Sequence, residues 1–197
     1  MTSPEWGGPV IPTMFGLPDS PLIRDALLFA ADAHEAAGQT RKYTKELYFL
    51  HPVRVAVTVL DHGVADHVVA AALLHDVVED TPVTLAELRG RFGGAVADLV
   101  YWVTNTATLA DGNRKVRAAI NLRHVTSGPA EAQTIKASDI LDNVPSIIRH
   151  DPSFAAVYVP EKIATLRAMT KADRRIAALA MAACEVFQPT PQADPTR

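Results

Sequence analysis

Residues 73–80 read LLHDVVED, which places His75, Asp76, Glu79 and Asp80 in an otherwise apolar run. The preceding DHVVAAALLHD is rich in Ala and Leu and holds no Gly or Pro, which favours a helix over a strand. On a helix, positions i, i+3 and i+4 share a face. Asp76 then neighbours Glu79 and Asp80, His75 neighbours Glu79, and Val77 and Val78 turn away. Three close carboxylates repel one another unless a proton or a cation lies among them. A divalent metal would resolve that conflict. The stretch alone is equally consistent with a solvated acidic face.

His75 and Asp76 are adjacent and cannot close a site by themselves. A metal held on packed helices draws ligands from several of them. Two further candidates stand out. His51 precedes Pro52 at a helix start, and Asp139 lies mid-helix in IKASDILDN, with Asn143 one turn later. An Asp inside a helix is intrinsically unfavourable, so its presence calls for a reason. His51, His75, Asp76 and Asp139 together give two imidazoles and two carboxylates. That mixed set suits Mn²⁺, Fe²⁺ or Zn²⁺ with positions open for water or substrate.

The elements that must position these groups are helices. Residues 1–20 are rich in Pro and Gly and are expected to form a flexible N-terminal arm, and 189–197 a flexible tail. Between them no repeat or linker interrupts a single domain over 21–188. A first helix is expected over 21–37, with Asp19 or Ser20 as cap, Pro21 at its first position and Gly38 ending it. The many β-branched residues of 51–60 allow a strand, but Pro52 leans the segment to a helix. A helix from Asp66 carries the opening stretch until Thr81-Pro82 breaks it. Thr84 and Glu87 have capping-box spacing for a helix to about Arg91. Gly93-Gly94 precedes a helix over 95–104. Helices over 112–126, 130–148, 158–170 and 172–187 complete the set, with Pro145 and Pro152 as disturbances. The expected fold is an all-α, single-domain helical bundle with a metal site in its centre.

Composition excludes several classes. Apolar residues make up 48% of the 197 and aromatics 6%, so the core is mainly Ala, Leu, Val and Ile. A formal net charge of -3 gives no electrostatic basis for broad nucleic-acid binding. Cys184, the single cysteine, builds neither a disulfide framework nor a thiolate zinc site, and is expected to be a small buried apolar residue. No apolar run approaches the roughly 20 residues that cross a bilayer. The N-terminus lacks a basic region followed by an apolar stretch, so no signal peptide is expected and a cytoplasmic location is the default. A homo-oligomer is neither indicated nor excluded.

The motifs carry a family resemblance. A His-Asp pair after an apolar helix, with a His upstream and an Asp downstream, resembles the HD-domain metal phosphohydrolases. AHEAAGQTRKYTKELYFLHPVRVA (33–56) resembles the opening of the RelA/SpoT-type alarmone hydrolases. LLHDVVEDT (73–81) is similar to their LLHD-x-x-EDT motif, and IKASDILDN to their K-x-AD-x-x-x-N motif, with Asp139 and Asn143 at matching positions. FGGAVADLVYWVT (92–104) is similar to the stretch that follows in them. The resemblance covers about residues 22–150, and the length resembles that of a stand-alone small alarmone hydrolase.

The resemblance implies roles. His51, His75, Asp76 and Asp139 would hold one Mn²⁺, while Glu79 and Asp80 orient or deprotonate the attacking water. Arg41 and Lys42 would line the nucleotide pocket, and Asn143 would reach the ribose or phosphates. Tyr48 would pack under the metal site or contact substrate. Lys136 would contact phosphate or stand solvated. His34 and Gln39 would fix the loop entering the pocket, and His62, His67, His124 and His150 match no motif.

There are departures. The Leu-Ala before the Asp is Ala137-Ser138 here, the basic residue after it is Ile140, the aromatic residue or His before the Asn is Asp142, and the Pro before Tyr48 is Leu47. The implied activity is Mn²⁺-dependent removal of the 3′-pyrophosphate from guanosine tetra- or pentaphosphate, giving GDP or GTP and pyrophosphate. A phosphohydrolase for another 3′- or 2′-phosphorylated nucleotide, a nicotinamide dinucleotide phosphate or an adenosine alarmone, is the alternative. An inactive nucleotide-binding or antitoxin module is the third reading, and the intact ligand set argues against it.

Overall fold

The computed structural model describes residues 11–187. The expected tail at 189–197 and the first half of the expected arm lie outside them. Residues 11–20 hold a 3-10 turn at Pro12–Phe15, and Leu17 packs into the core.

Ten α-helices follow among the described residues. They are α1 (Pro21–Ala36), α2 (Leu50–Leu60), α3 (Asp66–Leu74), α4 (Val77–Asp80), α5 (Leu85–Phe92), α6 (Gly94–Val103), α7 (Arg114–Ser127), α8 (Ala130–His150), α9 (Pro152–Ala168) and α10 (Arg174–Glu185). No strand is formed among these residues; an isolated bridge pairs Thr40 with Leu47 in the loop before α2. No helix there is long and apolar enough to cross a membrane.

Local chemistry explains most boundaries. Ser20 accepts from the Ile23 amide to cap α1, with Pro21 opening it. Thr84 accepts from the Glu87 amide at 3.2 Å to cap α5. Asp151 accepts from the Phe154 amide and Pro152 takes the first position of α9, so Pro152 starts a helix rather than disturbing one. That moves the start of α9 ahead of the expected residue 158. Pro145 sits inside α8 without ending it. Ala137, Ile140, Val144 and Ile147 bury one face of α8 along its length, and this packing outweighs the hydrogen bond that proline removes.

One expected helix is two. The run from Asp66 to Asp80 is interrupted at His75–Asp76. Asp76 stays in the right-handed helical region at φ -96°, ψ -9°, so the chain bends without reversing. The His75 ring nitrogen Nδ1 lies 2.8 Å from the Ala72 carbonyl oxygen at this break.

The helices pack around two apolar clusters. One gathers α1, α2, α3, α5 and α6; the other gathers α8, α9 and α10. Every residue of α3 from Val68 to Leu74 is buried, as befits a helix apolar all round. The α3–α4 break therefore lies deep in the molecule, where α2 and α8 meet α3. Cys184 is buried as a small core residue.

Candidate metal centre and its adjoining cavity

Four side chains from three places in the chain converge at the break. His51 comes from the first turn of α2, His75 and Asp76 from the α3–α4 junction, and Asp139 from the middle of α8. Both imidazoles are fully buried. Their rings meet edge to face with centroids 5.1 Å apart. Ligand atoms of His51, His75 and Asp76 all lie within 4.8 Å of one another. Asp139 joins them: its Oδ1 is 3.3 Å from His51 Nε2 and 3.8 Å from His75 Nε2. Asp76 Oδ2 is 3.4 Å from His51 Nε2, and its Oδ1 is 3.2 Å from His75 Nε2.

These groups fit a divalent cation. Nε2 of His51 and of His75 are buried with no hydrogen-bond partner among the described residues. Buried polar atoms are normally satisfied, so two orphaned nitrogens aimed at two carboxylates need an explanation. Burial alone would depress both imidazoles. Asp139, Asp142 and Asp76 overcome it at His51 and hold it well above the usual histidine range. Asp76 and Asp139 likewise lift His75 to about 9. Burial would raise the carboxyls; His75 and His51 hold Asp76, and Lys136 with the same histidines holds Asp139, well below the usual range. Protons on the imidazoles thus balance the carboxylates in the free protein. A divalent ion does the same work when the imidazoles are neutral. His51, His75 and Asp76 form a candidate divalent metal site.

Each ligand is held by a neighbour. Tyr48 Oη donates to Asp76 Oδ2 at 2.8 Å. Asn143 donates to Asp139 Oδ1. Lys136 Nζ lies 2.9 Å from Asp139 Oδ2, and Lys136 is only 8% exposed, so it is a buried counter-ion rather than a solvated lysine. Asp142 Oδ2 accepts from His51 Nδ1 at 2.6 Å, and its Oδ1 from Arg54 Nε at 2.6 Å. Hydrogen bonds from His51 and Arg54 overcome burial and keep the Asp142 carboxyl below its usual range.

Glu79 and Asp80 lie on α4, directly after the ligands. Glu79 Oε1 accepts from the Asn105 amide at 2.6 Å, and Oε2 from the Asn105 side chain at 2.7 Å. Desolvation, reinforced by Asp76, raises the Glu79 carboxyl above its usual range against the pull of Lys136. Desolvation and Asp76 also raise Asp80, against Tyr48.

Arg41 and Lys42 behave differently. Arg41 is largely buried and its Nη2 lies 3.7 Å from Asp142. Lys42 is exposed and reaches Asp151 at 3.3 Å, at the α8–α9 junction. His34 Nδ1 meets Gln39 Oε1 across the turn after α1, tying down the loop that holds both.

Sequence reasoning missed a cavity of about 470 Å³ between α6, α7, α8 and α9. Arg114, Arg117, Tyr158 and Lys162 line it, together with Asn105 and Lys136. Those last two connect it to the metal centre, one through Glu79 and the other through Asp139. Glu161 pairs with Arg114 at 2.7 Å, and Lys162 Nζ sits 4.8 Å from the centre of the Tyr158 ring. His124, which matched no motif, also lines the cavity and stacks on Trp102. The basic residues at 114, 117 and 162 carried no spacing signal, because only tertiary packing brings α7 and α9 together.

The helical fold with a His/Asp cluster at its centre defines a class. The family model described as HD domain matches residues 26–194, and the chain belongs to the HD-domain family. Within it, the chain is 37% identical over 138 residues to the guanosine-3′,5′-bis(diphosphate) 3′-pyrophosphohydrolase MESH1 of Xenopus tropicalis, covering 68% of this chain and 74% of that protein. It is also 37% identical over 128 residues to the guanosine-3′,5′-bis(diphosphate) 3′-pyrophosphohydrolase of Aquifex aeolicus, covering 64% of this chain but 18% of that protein. The chain thus spans a small part of several curated relatives it matches. The solved structure described as "A metazoan ortholog of SpoT hydrolyzes ppGpp and plays a role in starvation responses" shares the fold, with a TM-score of 0.77 at 22% identity over 89% of this chain and 100% of that one.

Proposed function

We propose that this chain hydrolyses the 3′-pyrophosphate of guanosine tetra- or pentaphosphate, releasing GDP or GTP and pyrophosphate. The observation that carries the reading is the pair of orphaned Nε2 atoms of His51 and His75, facing Asp76 and Asp139 beside a basic cavity. The activity named for the MESH1 and Aquifex relatives supports the substrate.

His51, His75, Asp76 and Asp139 would hold one ion, and the mixed nitrogen and oxygen set suits Mn²⁺. A divalent ion bound there supplies Lewis-acid polarisation and lowers the pKa of water. Tyr48 and Asn143 orient the carboxylates of Asp76 and Asp139. Glu79 is tethered by Asn105, and a carboxylate retains acceptor sites beyond the two that Asn105 fills. Its raised carboxyl is suited to accept the water proton at working pH. The water oxygen forms a bond to the 3′-phosphorus, the bond from that phosphorus to the 3′ oxygen breaks, and Glu79 or Asp80 returns a proton to the 3′ oxygen. Lys136, Lys162 and Arg117 place positive charge along the cavity for the nucleotide phosphates. Arg41 and Lys42 contribute from the loop before α2.

One observation keeps a second substrate in view. Asp142 stands 3.7 Å from Arg41 and draws on the charge that would otherwise meet phosphate. Other 3′- or 2′-phosphorylated nucleotides, including a nicotinamide dinucleotide phosphate, therefore belong in the test. Mn²⁺-loaded protein is incubated with each nucleotide, and products are separated by anion exchange. GDP and pyrophosphate from guanosine tetraphosphate are expected. Turnover confined to another nucleotide would replace the substrate while keeping the chemistry.

A further inference from the structure

We propose that Asp142 is the positioning residue for His51, fixing its ring so that Nε2 offers the lone pair to the metal. The inference rests on the metal reading above.

The hydrogen bond between His51 Nδ1 and Asp142 Oδ2 is 2.6 Å long. An ionised carboxylate only accepts, so Nδ1 carries a proton, and in the neutral ring that a metal requires this leaves Nε2 bare. That nitrogen is the one buried opposite Asp76 and Asp139. Asp142 is itself fixed. Arg54 Nε donates to Oδ1 at 2.6 Å and Nη2 to Oδ2 at 3.3 Å, while Arg41 Nη2 lies 3.7 Å away. Arg54 follows His51 by three positions on α2, so one helix face delivers both the ligand and the clamp on its orienting carboxylate.

The second imidazole is oriented differently. His75 Nδ1 meets the backbone carbonyl of Ala72, which no substitution at that position removes. His51 depends on a side chain. Partners of ligand histidines set tautomer, ring angle and basicity. Position 142 is therefore a place outside the ligands where a side-chain change reaches this metal centre. It is also a position where the chain departs from the RelA/SpoT pattern of an aromatic residue or His.

The test is calorimetric titration of Mn²⁺ into metal-free full chain, wild type against Asp142→Asn and Asp142→Ala. Folding of each variant is checked by circular dichroism. Loss of an orienting partner of this kind weakens metal binding about 10- to 100-fold. We expect a loss in that range for Asp142→Ala and a smaller one for Asp142→Asn, whose amide oxygen still accepts from Nδ1. Unchanged affinity in both folded variants overturns the inference. Nitrogen NMR of the wild type with Zn²⁺ as a diamagnetic probe needs no variant. It should find His51 protonated at Nδ1, and a ring protonated at Nε2 overturns the inference. A wild type that binds neither ion refutes the metal reading itself, which separates that failure from a failure at Asp142.

Discussion

His51 and His75 reach each other from different helices, with ring centroids 5.1 Å apart and both Nε2 atoms buried without a hydrogen-bond partner. Neither helix could hold that arrangement alone, and a shared cation gives both nitrogens the same partner. Metal should therefore stabilise the fold. A ligand present at 100 times its Kd adds about 2.7 kcal/mol when it binds only the native state. Mn²⁺ at that excess should raise the unfolding free energy of the wild type by about this amount, and chelation should reverse it. His75→Ala should show no response. Denaturant unfolding with and without Mn²⁺ measures both.

Lys136 and Asp139 form a buried ion pair one helical turn apart, at 2.9 Å. Burial disfavours the Lys136 ammonium, and Asp139, Glu79 and Asp76 overcome that to hold its pKa above the ordinary lysine range. Removing one partner of a buried pair leaves a charge uncompensated and costs about 3–5 kcal/mol. Lys136→Met should lose stability on that scale without metal. With saturating Mn²⁺ the loss should shrink, because the ion also neutralises Asp139. An equal loss in both conditions would place Lys136 outside the metal's field.

Lys162 lines the cavity, and desolvation, aided by Lys136, lowers its ammonium to about 8. A lysine with a lowered pKa is charged below that value and neutral above it. Any pull of this side chain on an anionic nucleotide would thus be present below about pH 8 and fade as pH rises through it. KM for guanosine tetraphosphate should rise across that window, with kcat less affected. Lys162→Arg stays charged throughout and should flatten the rise.

Asp151 caps α9 through Phe154 and accepts from Ser153, Tyr43 and Lys42, and these bonds lower its carboxyl to about 2. Its folded pKa lies below the ordinary aspartate value of 3.8 that holds in the unfolded chain. Its stabilising contribution is therefore complete above about 3.8 and is lost as pH falls through about 2. Asp151→Asn should lower the urea midpoint at pH 7, and the gap from wild type should narrow below pH 4. A gap that does not change with pH would assign the effect to geometry rather than charge.

The all-helical bundle and the His51, His75 and Asp76 cluster were legible because both leave local marks. Helix caps and Pro positions mark boundaries, and Asp139 was conspicuous as an acid in mid-helix. The break at His75–Asp76 was not legible, since its dihedrals stay helical and the apolar pattern runs through it. Pro145 and Pro152 were misjudged because tertiary packing carries α8 through one, while the other fits the first turn of α9. For Lys136 the resemblance left a phosphate contact or a solvated lysine open, and only burial against Asp139 shows what it meets. Lys42 finds Asp151 across most of the chain, and the cavity residues of α7 and α9 converge from separate helices. Spacing within a segment cannot encode such meetings. Asp142 was visible as a departure from the RelA/SpoT pattern, but its hold on His51 and Arg54 was not.

The most direct test of the central claim is single-turnover hydrolysis of guanosine tetraphosphate by Mn²⁺-loaded wild type and Glu79→Gln, with bound metal quantified in the same samples. GDP and pyrophosphate are expected from the wild type. Glu79→Gln should keep full metal occupancy with a rate lower by about 10²–10⁴-fold, the range for loss of a positioned general base. A fully loaded wild type that leaves guanosine tetraphosphate intact, or a Glu79→Gln protein that turns over at the wild-type rate, would contradict that claim.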